Sequence, residues 1–258
     1  REGLITVQLG PHAPYTVPFD DMRRIVRTAG ERGLGVHLHF LETEWELGYL
    51  RQELKREPTD YLRDVGLLDA PQAVLAHAVW LDPATEVDLS RVTLVHCPGS
   101  NLKLGSGVMP LAAWLEKGTP VALGTDGASS NNRLDMWEEM RTAALLHKGV
   151  NHDPMCVSAL DALRMVTYEG ARAFGFAQKG MIREGWMADL VLVDLDQPHY
   201  VGANEENLAA YIVYAGSSAD VVGTMVNGKW SFRNGEFPTL DREEIVERAW
   251  EAREAITR

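Results

Sequence analysis

The sequence predicts an α/β fold in which parallel strands alternate with helices, followed by a small β domain. Short apolar runs that end in polar, glycine or proline residues recur between segments with helical spacing of apolar side chains, which is typical of βα units. After about residue 178 the pattern changes to strand-like segments joined by glycine-containing turns. We therefore expect βα units over residues 1–178, part of a small β domain over 179–240 and a C-terminal helix over 241–258.

The apolar runs predict five strands, at residues 5–10, 35–41, 73–80, 92–97 and 120–125. The helical spacing predicts helices over residues 19–32, 44–65 with a break near Pro58, 101–117, 134–148 and 160–174. Gly33 is predicted to end the first of these helices. Because the carboxyl ends of parallel strands converge at one end of a barrel, we expect functional side chains in the loops that follow the strands.

The β domain is predicted from two apolar segments, at residues 188–195 and 221–232. Asn227 and Gly228 form the two-residue pair that is typical of a tight hairpin between two strands. Residues 241–257 are charged and amphipathic, which predicts the closing helix.

Charge and composition argue against several classes of partner. The formal net charge of −12 would repel a phosphate backbone, so we expect no nucleic-acid partner. No apolar stretch approaches the ~20 residues that a membrane span needs, so we expect no membrane partner. Cys97 and Cys156 lie far apart, with no CxxC spacing, which favours buried thiols in a reducing compartment. The expected location is the cytoplasm, and assembly of several identical copies is left open.

The second predicted strand carries two histidines and is followed by a carboxylate. His37 and His39 are two residues apart and therefore share one face of the strand, and Glu42 lies just past its end. Neutral imidazole is a common metal ligand, and a nearby carboxylate can move a proton to or from a metal-activated water. A histidine on a strand can equally be a hydrogen-bonded core residue, and these residues alone leave both readings open.

Two later strands present similar polar residues. His77 interrupts an otherwise apolar strand, where burial of an imidazole costs free energy unless it finds a partner. Asp126 follows the apolar run of the fifth strand, although an aspartate there could also cap a helix. The small polar residues at 127–132 suit a close approach of the backbone to a ligand. In a barrel the three strand ends would converge, so we expect His39, His77 and Asp126 to share one pocket.

Several further motifs extend this pattern, and together they resemble the motifs of the amidohydrolase superfamily. They are residues 11–16 (PHAPYT), 39–43 (HFLET), 75–77 (LAH), 96–105 (HCPGSNLKLG), 124–127 (GTDG) and 130–132 (SNN). The resemblance continues through residues 165–167 (MVT), 185–190 (GWMADL) and 226–229 (VNGK). Within the chlorohydrolase-like group of this superfamily, the motifs are most similar to those of the deaminases of 5-methylthioadenosine and S-adenosylhomocysteine.

The resemblance implies a fold and a set of metal and catalytic residues. The fold would be about strands four to eight of a metal-dependent, TIM-like (β/α)8 barrel plus part of a small β-sandwich domain. His39 and Asp126 would bind one divalent metal, with Zn²⁺ favoured and Fe²⁺ as the alternative. Glu42 would be the proton shuttle, and His77 would hold the attacking water together with Asp126. The catalytic residues would thus be Glu42, His77 and Asp126.

The resemblance also implies a substrate. An adenosine-type nucleoside, as a small purine-like molecule, would be hydrolysed to the inosine-type product and ammonia. The residues expected to contact it are His12, Glu42, Asn101 and Ser130. Two alternatives stay open at this point: an enzyme with the same site that acts on a free nucleobase, a pterin or a triazine, and a metal-free, non-catalytic relative.

One departure from the family pattern concerns its first-strand His-x-His motif. The only such motif here is His37-x-His39, and only about 85 residues separate it from Asp126, too few for seven βα steps of roughly 30 residues each. The first residues also lead directly into an apolar run without an initiator methionine. We therefore expect strands one to three to belong to a longer protein, and His37 to be an additional histidine with a packing or supporting role.

Overall fold

The structure is a computed structural model that describes residues 4–257. Residues 1–3 of the predicted βα region and residue 258 of the predicted C-terminal helix lie outside the described residues. Its larger sheet is parallel and has five strands in chain order: β1 (Gln8–Leu9), β2 (Gly35–Phe40), β3 (Ala73–His77), β4 (Val92–His96) and β5 (Val121–Leu123). Adjacent strands in sequence are therefore neighbours in space, as expected for successive βα units. The predicted α/β class and its parallel sheet are confirmed.

Each strand is shorter than its apolar run, and the cause is visible for β3. The predicted strand extended to residue 80, but His77 and Ala78 have φ angles of 75° and 47°, so the backbone turns away from the sheet. β3, β4 and β5 are buried at every position, which explains their continuous apolar runs.

The helices that follow the first two strands agree with the predicted pattern. They are α1 (Phe19–Arg32), α2 (Glu44–Gln52) and α3 (Pro58–Asp64). Gly33 ends α1 in the left-handed conformation, with a φ of 64°. Pro58 begins α3, which accounts for the predicted break, since proline fits the first turn of a helix but not its interior.

Two predictions of single helices are wrong. The segment 101–117 forms α4 (Pro98–Leu104) and α5 (Leu111–Glu116), because Gly105 ends α4 with a φ of 69° and Pro110 precedes α5. The segment 160–174 forms α8 (Ala159–Val166) and α9 (Tyr168–Ala173), which are separated at Thr167 by non-helical backbone. Between them in sequence lie α6 (Ala128–Asn131) and α7 (Met136–Asn151).

The second sheet is antiparallel and consists of β6 (Leu190–Val193), β7 (Val221–Val226) and β8 (Lys229–Arg233). Asn227 and Gly228 both have positive φ angles, 47° and 76°, and close the predicted hairpin. A short α10 (Leu208–Ala210) precedes this sheet's second strand, and α11 (Arg242–Ile256) is the predicted closing helix. The domain boundary near residue 178 stays a prediction. Within residues 4–257, no helix combines the length and apolarity that a bilayer crossing requires.

A pair of buried histidines links the parallel sheet to α7. His96 at the end of β4 and His147 on α7 join their Nε2 atoms in a hydrogen bond of 3.0 Å, and both side chains are buried. Burial lowers the pKa of His147 to about 4. Burial, with a further contribution from His147, holds the pKa of His96 well below its usual range. Both rings are therefore neutral in the folded protein at pH 7.

The histidine pair predicts a loss of stability in mild acid. Because the folded-state pKa values lie below the unfolded value of about 6.5, the unfolded chain binds protons first as the pH falls. We expect His147 alone to remove about 2 kcal/mol from the free energy of unfolding between pH 7 and pH 5. Urea denaturation at both pH values, with a chelator present, measures this loss.

Replacement of His147 by glutamine should reduce the measured loss by about 2 kcal/mol, because glutamine does not titrate in this range. The matched control is His152→Asn, since His152 is an exposed histidine that ends the same helix with a φ of 54°, which asparagine tolerates. An H147Q protein that loses as much stability as the wild type between the two pH values would contradict the assignment.

Candidate metal centre

Three strand ends turn through left-handed backbone at the same edge of the parallel sheet. Leu41 after β2, His77 at the end of β3 and Asp126 after β5 have φ angles of 53°, 75° and 60°. Residues other than glycine rarely adopt this conformation, which costs of order 1–3 kcal/mol at each position. The surrounding contacts must therefore hold these turns, and functional sites are where such strain concentrates.

The three residues that were expected to meet lie together beside these turns. His39, His77 and Asp126 each offer one ligand atom, and these atoms lie within 4.8 Å of one another. The two imidazole rings are stacked, with centroids 5.5 Å apart. Two imidazoles and a carboxylate form a donor set of the kind that zinc binds in proteins.

His39 is oriented by the loop after β1. Its Nδ1–H donates to the carbonyl oxygen of His12 at 2.8 Å, and its backbone N–H donates to the same oxygen at 2.9 Å. This hydrogen bond places the ring proton on Nδ1 and leaves the Nε2 lone pair available to a cation. A backbone carbonyl in this position is a usual partner of a metal-binding histidine.

Asp126 is held as an ionised carboxylate. Its Oδ2 accepts hydrogen bonds from the hydroxyls of Ser100 and Ser130, each at 2.7 Å. Burial raises the pKa of Asp126, but these two hydrogen bonds, the Gly127 backbone amide and His77 outweigh burial and lower the pKa below its usual value. The two hydroxyls bind one oxygen, so the carboxylate is both fixed and charged.

His77 has the opposite electrostatic character. Its side chain is only 1% exposed, and burial lowers its pKa, although the nearby carboxylates of Glu42 and Asp126 act in the other direction. The side-chain amide of Asn101, also buried, donates to His77 Nδ1 at 3.0 Å. The proton of the neutral ring is then on Nε2, which lies 3.9 Å from Glu42 Oε2.

Glu42 lies between two polar partners at the start of the loop after β2. Its Oε1 accepts a hydrogen bond from the hydroxyl of Ser106 at 3.1 Å, and its Oε2 is the oxygen near His77. The next residue, Thr43, begins α2 as its N-cap and accepts a hydrogen bond from the backbone of Glu46. The carboxylate is 20% exposed, and its Oε2 faces His77, which is one of the three clustered residues.

A buried carboxyl group ties the loops after β4 and β5 together. Glu139 on α7 accepts the backbone N–H of Gly99 at 3.0 Å and the side-chain amide of Asn131 at 2.7 Å. A Cβ atom at residue 99 would collide with the Glu139 carboxylate, so a side chain there would displace this carboxylate from its hydrogen bonds. Because Ser100 follows Gly99 directly, this contact also fixes the serine that binds Asp126.

The other predicted residues lie around this cluster in different ways. His12 is exposed, and its ring centroid is 4.8 Å from that of His39. Ser130 reaches Asp126, and Asn101 lies behind His77, where its position favours an indirect role over the predicted contact with substrate. His37 is half-buried against Phe174, and burial lowers its pKa.

Sequence reasoning did not identify Ser100, Ser106 or Glu139 as contributors. Ser100 lies within the segment 96–105 that carries the resemblance, so only its role was missed. The sequence does contain a signal for Glu139. This carboxylate lies on the buried side of α7 together with the apolar Met140, Ala143 and Ala144. Ser106 lies in a loop between two helices and has no such signal.

Comparisons with known proteins identify the family of this chain. A family model described as the amidohydrolase family matches residues 1–231. A 5-methylthioadenosine/S-adenosylhomocysteine deaminase of Dictyoglomus thermophilum is 45% identical over 248 residues, which cover 95% of this chain and 58% of that protein. The chain thus spans little more than half the length of this relative.

Solved structures show the same similarity. An adenosine deaminase from Xanthomonas campestris with bound zinc superposes with a TM-score of 0.92 at 36% identity, over 99% of this chain and 58% of that chain. An atrazine chlorohydrolase from Arthrobacter aurescens, complexed with zinc, superposes with a TM-score of 0.84 at 26% identity, over 93% of this chain and 53% of that chain. With the family model matched over residues 1–231, the chain belongs to the amidohydrolase family.

Proposed function

We propose that this chain carries much of the active site of a hydrolytic deaminase for adenosine-type nucleosides, with 5-methylthioadenosine and S-adenosylhomocysteine as substrates. The observation that carries the proposal is the cluster of His39, His77 and Asp126 with Glu42 at its side. The reaction consumes one water and releases one ammonia: the water oxygen bonds to C6 of the adenine ring, and the bond from C6 to the amino nitrogen breaks. The product is the inosine-type nucleoside.

The cluster fits a divalent cation. His39 Nε2 is free because Nδ1 is already hydrogen-bonded, and Asp126 is ionised, so His39 and Asp126 would hold the metal. Zn²⁺ is the proposed metal, since the similar deaminase and chlorohydrolase structures both contain zinc, and Fe²⁺ is the alternative. When bound, such a cation lowers the pKa of a water at the site toward neutrality.

Glu42 would carry the protons of this reaction. Its carboxylate would take one proton from the attacking water and deliver it to the ring nitrogen beside C6. It would then move the proton that remains on the added oxygen to the amino group, which leaves as ammonia. Ser106 holds one oxygen of this carboxylate, which leaves the other free to exchange protons. The Glu42 side chain is partly exposed beside the cluster, so a purine bound there would be able to contact it.

His77 and Asp126 would position the attacking water. The Nε2–H of His77 donates to the water oxygen and stabilises the negative charge that develops on it, because the buried ring is already oriented by Asn101. Asp126, ionised and fixed by two serines, would accept a hydrogen bond from the same water. These two residues therefore align the oxygen with C6 while Glu42 moves the protons.

His12 and Ser130 remain proposed contacts to the nucleoside. His12 is the exposed ring nearest to His39, and Ser130 lies beside Asp126 on the short helix α6. The higher identity to a nucleoside deaminase than to an atrazine chlorohydrolase supports a nucleoside over a triazine. The cytoplasmic location and the assembly into identical copies stay predictions.

The substrate class is tested by ammonia release from the full-length, metal-loaded protein. We expect turnover of 5-methylthioadenosine and S-adenosylhomocysteine, and little or no turnover of guanine, a pterin or an amino-substituted triazine. Elemental analysis of the same preparation distinguishes zinc from iron. Turnover of a triazine in preference to every nucleoside would replace the proposed substrate.

The role of Glu42 predicts that Glu42→Gln lowers kcat by about 10²–10⁴-fold, because glutamine cannot exchange a proton. Metal content measured by elemental analysis should stay at the wild-type level, since Glu42 is not a proposed ligand. Glu44→Gln is the matched control, because Glu44 is an exposed carboxylate only two residues away. An E42Q protein with kcat near that of the wild type would exclude the proton-transfer role.

The role of His77 predicts a loss of turnover without a loss of bound metal. His77→Asn should lower kcat by about 10²–10³-fold, because the oriented Nε2–H is lost. The bound metal should remain, whereas Asp126→Asn should lose most of it. If H77N instead loses its metal as completely as D126N does, His77 is a ligand and the proposed division of roles is wrong.

A further inference from the structure

Glu46 is a buried carboxyl group that the proposed reaction does not use. It lies in the first turn of α2, and its side chain is 1% exposed. Its Oε2 accepts the backbone N–H of Glu42 at 3.0 Å, and the backbone amide of Leu41 also contacts the carboxylate. Glu46 therefore contacts the backbone turn that carries the proposed proton shuttle.

This contact differs from ordinary helix capping. In a capping box, the glutamate at the third helical position returns to the backbone N–H of the N-cap residue, which here is Thr43. Thr43 does accept the N–H of Glu46, at 3.3 Å, but the Glu46 carboxylate reaches past Thr43 to the turn at Leu41 and Glu42. Leu41 has the left-handed φ of 53°, so the carboxylate binds the strained part of the loop.

The burial of Glu46 is unfavourable in itself. Among the described residues, its Oε1 has no hydrogen-bond partner, and neither does the hydroxyl of the buried Tyr61, whose pKa is raised by burial and then by Glu46. Burial raises the pKa of Glu46 to about 7, whereas the amides of Leu41 and Glu42 act to lower it. A helix cap does not require such burial, since the capping box at Ser158 and Asp161 of α8 uses a less buried carboxylate.

We propose that Glu46 is a positioning residue that fixes the Leu41–Glu42 turn and thereby holds the Glu42 carboxylate between Ser106 and His77. This inference rests on the proposed function, because it assigns Glu46 a role in the reaction only through Glu42. The physical reason is that proton transfer requires hydrogen-bond contact, so a small displacement of the Glu42 backbone moves its carboxylate out of reach of the water.

The test uses two variants of the full-length, metal-loaded protein. Glu46→Met keeps the length of the side chain but removes both acceptor oxygens, and Glu46→Asp keeps the charge but shortens the reach. We expect each variant to lower kcat, expressed per bound metal, by about 10–100-fold, the range typical of groups that orient a metal site. KM should stay within about twofold, because Glu46 does not contact the substrate.

The matched control is Asp161→Asn in the capping box of α8. Among the described hydrogen bonds, the Asp161 side chain pairs only with Ser158. This variant should lower the melting temperature yet leave kcat per bound metal unchanged. If the Glu46 variants behave in the same way, with lower stability and normal kcat, their role is structural and the proposal is overturned.

Amide hydrogen exchange gives a readout that does not depend on activity. In E46M, the peptide that contains Leu41 and Glu42 should exchange about tenfold faster than in the wild type, while the peptide at Ser158 is unchanged. Unchanged protection of Leu41 and Glu42 overturns the proposal. A wild-type protein that releases no ammonia from any nucleoside overturns the proposed function instead, and the exchange result then decides whether Glu46 fixes the turn.

Discussion

The left-handed turns at the ends of β2, β3 and β5 are the constraint on which the rest of the site depends. Side chains on a strand point alternately to the two faces of the sheet, so a change of backbone direction at the strand end redirects the residues that follow. Leu41, His77 and Asp126 supply that change at a cost in conformational energy. The site can exist only if neighbouring groups hold these turns, and the structure contains such groups at each of them.

Buried polar residues hold the turns. Glu46 binds the turn at Leu41, Asn101 binds the ring of His77, and the two serines bind Asp126. Glu139 acts at a greater distance, because it fixes the loop that carries Ser100. Burial of each of these polar groups costs free energy unless the group is hydrogen-bonded. Their concentration at one edge of the sheet indicates that this edge is organised for chemistry and not only for stability.

The electrostatics of the cluster follow from the same contacts. Hydrogen bonds keep Asp126 ionised although it is partly buried, while burial keeps His77 neutral although it faces carboxylates. The pKa values of both groups are lowered, which leaves Asp126 charged and His77 neutral at pH 7. A carboxylate that stays charged suits a cation, and a neutral imidazole can donate a hydrogen bond at pH 7.

The sequence by itself determined the order of the strands, the residues at their ends and the family resemblance, because apolar runs and the motif at 96–105 are local patterns. Local patterns did not determine the breaks at Gly105 and Thr167, since single backbone conformations there interrupt otherwise helical segments. Only the tertiary structure decided which partner each site residue has. The hydrogen bonds of Asp126 to Ser100 and of Gly99 to Glu139 join residues far apart in sequence, and their geometry arises only when the strands pack side by side.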